Sequence, residues 1–186
     1  QVAAMSATAI GSLSGAQVGA MPPTAFAAMK PAQLGALPAD ALAVMAPTQV
    51  GALPAAAFTA IKADQIDALP PEAFGAMKST QVGSLPPAAF GSLSSDQIGS
   101  MPVNAFTAIK PAQMSALEPE ALVDLSAQQV GAMPAAAFKS IKADQVDALP
   151  AEAFAGMKLA QMSALTPTAL GAMSPEQLTE LPVQAM

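Results

Sequence analysis

The sequence contains no Cys, His, Trp, Tyr or Arg. Without Cys there is no disulfide framework and no thiolate nucleophile. Without Cys and His, the ligand sets of zinc and haem sites are missing. Without His, the usual general base near neutral pH is missing as well. Charge is scarce too: seven Lys stand against 13 Asp and Glu, a net charge of −6 with only 11% of residues charged. A sequence pI near 4.3 offers no basic face for phosphates, which argues against nucleic acid. The inventory points away from an enzyme and from any cofactor. Polar residues and Pro interrupt every apolar run well before the ~18 residues of a membrane span, so no membrane insertion is expected. A basic leader with an apolar run is not visible.

What is present is hydrophobicity and repetition. Hydrophobic residues make up 53% of the 186, and mean hydropathy is +0.44, so the chain does not read as disordered. Self-similarity is complete. Gln occurs at 1, 17, 33, 49, 65, 81, 97, 113, 129, 145, 161 and 177, a spacing of 16 without insertion or deletion. The whole chain, 1–186, is a single array of eleven full repeats (1–176) and a partial twelfth (177–186). The chain opens in phase at Gln1, and we read it as a processed product or a segment of a longer chain.

With Gln as repeat position 1, position 9 is Ala in every copy. Position 10 holds all seven Phe: Phe26, Phe58, Phe74, Phe90, Phe106, Phe138 and Phe154. Ile10, Leu42, Leu122, Leu170 and Met186 fill it elsewhere. Positions 2, 5 and 13 are aliphatic or Met; position 6 is mostly Pro; position 14 is Lys, Ser or Ala. Each repeat thus divides into two similar octads, one led by Gln and one by Ala. Copies five repeats apart, such as 49–64 and 129–144, match better than neighbours, as duplication of five-repeat blocks would produce.

Apolar spacing of three, with abundant Ala, follows a helical period. Recurrent Pro limits each helix to about seven residues and suits its first position. Ser-x-x-Gln at Ser94–Gln97, Ser126–Gln129 and Ser174–Gln177 is a capping box. Where position 14 is Lys, no such cap can form, and there the Gln amide is expected to bridge backbone groups of an adjacent coil. Helices this short do not hold alone in water, so stability must come from stacking. The expected fold is all-α: a two-sided solenoid of short helices, two per 16-residue coil. A leucine-rich-repeat-like coil with a strand on one side is the alternative.

The pattern A-F-x-x-(I/L/M)-x-x-x-Q-(V/I/L)-x-x-L-P resembles tandem arrays in long, uncharacterised surface or secreted proteins of microbial eukaryotes and some bacteria. The resemblance covers the whole chain and implies extended extracellular or cell-surface material, with no activity attached.

Candidate sites are few. The recurrent Gln17, Gln33, Gln49, Gln65, Gln81, Gln97, Gln113, Gln129, Gln145, Gln161 and Gln177 and the seven Phe are structural repeat residues. Asp64, Asp67, Asp144 and Asp147 form acidic pairs that could hold calcium only weakly, for want of a loop gathering enough oxygens. The Lys row at position 14 could meet an anionic polymer, though helix-end charge explains it more simply. Thr24, Thr59, Thr107, Thr168, Ser79 and Ser95 leave O-glycosylation open. Positions 3, 7, 8, 11 and 15 are small and neutral, and as a free surface they would need covering by neighbours, glycans or a partner. The reading is a structural protein: a section of an extracellular fibre, stalk or surface filament that self-associates. A protein-binding scaffold is the alternative, and an ice-binding lattice comes third.

Overall fold

The structure, a computed structural model, describes residues 2–182. Gln1 and residues 183–186, including the repeat positions Ala185 and Met186, lie outside the described residues. Among the described residues, every regular element is helical, so the all-α expectation holds and the strand-bearing alternative falls. The described residues form 23 helices, 18 α and five 3₁₀, one per octad. They are three to six residues long, shorter than the seven the sequence suggests. The reason lies in the two residues that close each octad. Leu53 (ψ 138°), Ile61 (ψ 140°) and Met157 (ψ 139°) have already left the helix, and the next residue is an extended N-cap. Where that next residue is Pro, its ring disfavours the helical conformation in the residue before it. Pro22, Pro38, Pro54 and Pro70 sit at this corner with φ between −63° and −69°, which the ring sets anyway.

Stacking makes one core. Positions 2, 5, 9, 10 and 13 turn inward along nearly the whole length, and all seven Phe are 0–1% exposed. The sequence unit and the turn of the solenoid differ, however. Helix Pro31–Leu34 packs on Ala55–Ala60, Ser79–Val82 on Val103–Ala108, and Ala127–Ala132 on both Val103–Ala108 and Ala151–Gly156. Each partner lies three octads away, as Ala55 does from Pro31. The coil is therefore not a 16-residue, two-sided loop. It closes between three and four octads, because one-turn helices with two-residue corners are too short to double back on themselves.

The seam between coils explains the small residues. A Cβ on Gly35 would stand 2.7 Å from Ala60 O, and one on Gly131 would stand 2.6 Å from Gly156 O. Positions 3 and 11 of one coil thus meet positions 12 and 4 of the next coil along the stack. Gly35, Gly51, Gly83, Gly91 and Gly131 are half-buried there. At these glycines backbone approach keeps the residue small, whereas position 11 stays exposed in most copies, as at Thr59, Thr107, Val123 and Lys139. The accessible surface of 7993 Å² is close to the roughly 8,200 Å² expected of a monomer of this mass, so stacking covers the chain as well as a globular core does.

Candidate functional site

The recurrent glutamine is the most specific feature of the structure. Gln113 is fully buried. Its Oε1 accepts the backbone N–H of Lys110 at 2.9 Å, across the helix N-terminus. Its Nε2 donates to Val82 O at 2.7 Å and Leu85 O at 3.0 Å, 31 and 28 residues earlier. One side chain thus caps its own helix and ties it to the end of the helix four octads before. The same clasp recurs from Gln33, which holds Lys30 N–H, Val2 O and Met5 O, to Gln177, which holds Ser174 N–H, Val146 O and Leu149 O, except that Gln129 Nε2 donates to Gly99 O (3.2 Å) in place of Ile98 O beside Met101 O (3.0 Å). These ten glutamines are at most 5% exposed. Among the described residues, no buried side-chain N or O lacks a hydrogen-bond partner.

The clasp serves Ser, Lys and Ala corners alike, Gln49 Oε1 accepting Ala46 N–H at 2.8 Å. Where the corner is Ser, the hydroxyl also accepts the Gln backbone N–H, at 3.2 Å for Ser94 and 3.3 Å for Ser126, completing the capping box. Where it is Lys30, Lys62, Lys78, Lys110, Lys142 or Lys158, the side chain is exposed and makes no cap bond, so Gln alone secures the N–H. This also accounts for the alternation of octads. Where Ala leads the octad, the residue three before it is usually Pro, which has no N–H to satisfy. Where Gln leads, the corner residue keeps its N–H, and an unsatisfied buried donor would cost about 1–3 kcal/mol. Pro-x-x-Ala and Lys/Ser-x-x-Gln are two solutions to one accounting problem. Sequence reasoning missed this pairing, although the signal is present: Pro never stands three residues before a Gln of the 16-residue series. Three Ala-led octads depart from it. Ser6 and Thr166 replace Pro, and their hydroxyls cap Ala9 N–H (3.1 Å) and Ala169 N–H (3.2 Å). Glu118 stands at an exposed corner.

Gln17 differs. Its Oε1 accepts Ser14 N–H at 2.8 Å, but the side chain is exposed, and its Nε2 donates to no described residue.

The acidic candidates do not converge. Asp64, Asp67, Asp144 and Asp147 are exposed, and among the described residues no group of three or more His, Cys, Asp or Glu could hold a metal ion. The Asp144 carboxylate instead accepts Gln145 N–H at 2.9 Å, and the backbone carbonyls of Asp67 and Asp147 accept from the clasps of Gln97 and Gln177. Thr24, Thr59, Thr107 and Thr168 are exposed, whereas Ser79 and Ser95 are half-buried. Among the described residues, no helix is long and apolar enough to cross a membrane. A shallow depression lined by Val2, Met21, Pro22, Thr24 and Ala25 lies at the first coil, beside Gln17 in the chain. Compared with known proteins, the sequence matches no family model and no curated protein.

Proposed function

We propose that the chain is a structural repeat protein, one section of an extracellular fibre, stalk or surface filament. The observation that carries this reading is the recurrent clasp from Gln33 to Gln177 around one continuous core. From Gln33 on, each coil is tied to an earlier one by the same kind of Gln clasp, so the specificity of the molecule goes into extending itself. The block duplication fits a chain selected for length, and the weakly charged flanks permit close packing of neighbours. The 23 helices of the described residues, at three to four per turn, make six to eight turns, or a rod of about 50–80 Å at ~8–10 Å between helices.

Negative-stain electron microscopy of the protein in native buffer tests the reading. Long filaments of uniform width are the expected result. A solution of separate short rods at every concentration would overturn it and favour a binding scaffold.

A further inference from the structure

Charge is scarce in this chain, but the fold sorts it. Each helix packs on the third one along, so the helices stand in three stacks, one to each face of the rod. One stack runs through Pro71–Phe74, Ser95–Gly99, Pro119–Leu122 and Ala143–Ala148. Two residues past each corner it carries Glu72, Asp96, Glu120 and Asp144, all exposed. Glu118, Asp124 and Asp147 lie on the same octads, which thus hold seven acids against Lys142. Their net charge of −6 equals that of the whole chain. A second stack runs through Pro87–Gly91, Pro111–Met114, Ala135–Phe138 and Leu159–Met162. Its four octads contain no acid, and their charges are the exposed Lys110, Lys139 and Lys158. The third stack, from Ala55–Ala60 to Ala127–Ala132, carries Lys78 alone.

The 16-residue period does not impose this sorting, because each stack alternates Gln-led and Ala-led octads. Glu72 and Glu120 sit in Ala-led octads, Asp96 and Asp144 in Gln-led ones. Carboxylates on successive helices of the stack stand about one helix spacing apart, ~8–10 Å, close to the Debye length of about 8 Å at physiological salt. They repel one another weakly in the free chain, and an opposed row of positive charge relieves that repulsion. We propose that a second copy of this chain supplies it, its Lys110, Lys139 and Lys158 face packing side by side on the Glu72, Asp96, Glu120 and Asp144 face of the first. This rests on the self-associating structural reading and names its lateral surface. Where the acidic stack has its carboxylates, the Lys stack has Ala88, Ala112, Ala136 and Ala160, all exposed, so no long side chain blocks the approach. The two stacks cover nearly the same span, 70–149 and 86–165, an offset of two helices. Parallel copies therefore oppose the rows with less than one turn of axial shift. Each copy presents one face of each sign, so the contact is heterologous and continues from copy to copy.

Sedimentation velocity in about 0.05 M and about 0.5 M salt tests the contact. One variant carries Lys110→Glu, Lys139→Glu and Lys158→Glu, and the other Glu72→Lys, Glu120→Lys and Asp124→Lys. All six side chains are exposed, and circular dichroism checks that helicity is kept. The wild-type chain should associate at low salt and at least tenfold more weakly at high salt. Each variant alone should associate at least tenfold more weakly than wild type at low salt. An equimolar mixture should form 1:1 dimers, because the intact acidic face of the first variant meets the intact Lys face of the second. Wild-type association that ignores salt, or variants that associate like wild type, would overturn the pairing of charged faces and leave the structural reading standing. A mixture that stays monomeric while the wild type associates would overturn it as well. Should a variant lose its helicity, the salt dependence of the wild type still decides. A wild-type chain that is monomeric at every concentration and both salts would overturn both readings.

Discussion

Lys110 shows how much one backbone group can determine. Its side chain is exposed, its φ of −95° and ψ of 155° place it outside any helix, and yet its N–H is held by a fully buried amide. Hydrogen exchange should therefore find Lys78 and Lys110 N–H protected like core helix amides, while the N–H of Glu118, at an Ala-led corner, exchanges rapidly. Gln113→Ala leaves Lys110 N–H and Leu85 O without partners, and should destabilise the protein by about 2–6 kcal/mol in urea titration, at about 1–3 kcal/mol per orphaned group. Adding Lys110→Pro removes the orphaned donor and should recover about 1 kcal/mol, since Ile109 (ψ 129°) already has the conformation that precedes Pro. No recovery would disprove the equivalence of Pro-x-x-Ala and Lys-x-x-Gln. Gln113→Glu places a carboxylate against two carbonyls, which raises its folded pKa. Its stability should be highest below the ordinary carboxylate value of about 4.3 and fall as pH rises through the raised one.

At the scale of the element, the sequence was informative about content and less so about length. Two helices per repeat, Pro near their starts and the Ser-x-x-Gln caps are all legible, because each is a local rule written within a single octad. The shortness of the helices is less legible: Leu53 and Leu149 carry apolar side chains that fit a helical period, but the corner that follows has already drawn their backbones out. Gly35 reads from sequence as bare surface, because the segment that presses on it, around Ala60, lies more than a full repeat further along the chain. Two glycines separate these effects. Gly35→Ala drives a Cβ into Ala60 O and should cost about 1–3 kcal/mol as overpacking. A Cβ at Gly171 would meet nothing within 4 Å, so Gly171→Ala should stabilise by up to ~1 kcal/mol through helix propensity. Thermal melts of the two variants should move in opposite directions.

For the whole molecule, the period of 16 was plain and the turn was not. Periodicity reports which side chains face inward. How many helices close a coil depends on corner angles and on the Gln reach of 28 and 31 residues, which only the folded chain displays. Those same separations are short against a chain of 186 residues, so each coil needs only its near neighbours. The direction of the clasp adds a temporal consequence. Gln33 reaches back to Val2 and Met5, Gln49 to Val18 and Met21, and so on to Gln177. Every acceptor is translated before its donor. On a ribosome adding about 5–20 residues per second, each emerging glutamine finds its anchorage already made, and the solenoid is wound in the order in which it is read. Nascent chains arrested at successive lengths should gain protease resistance in steps of one repeat, each step falling as the next glutamine of the series clears the ribosome.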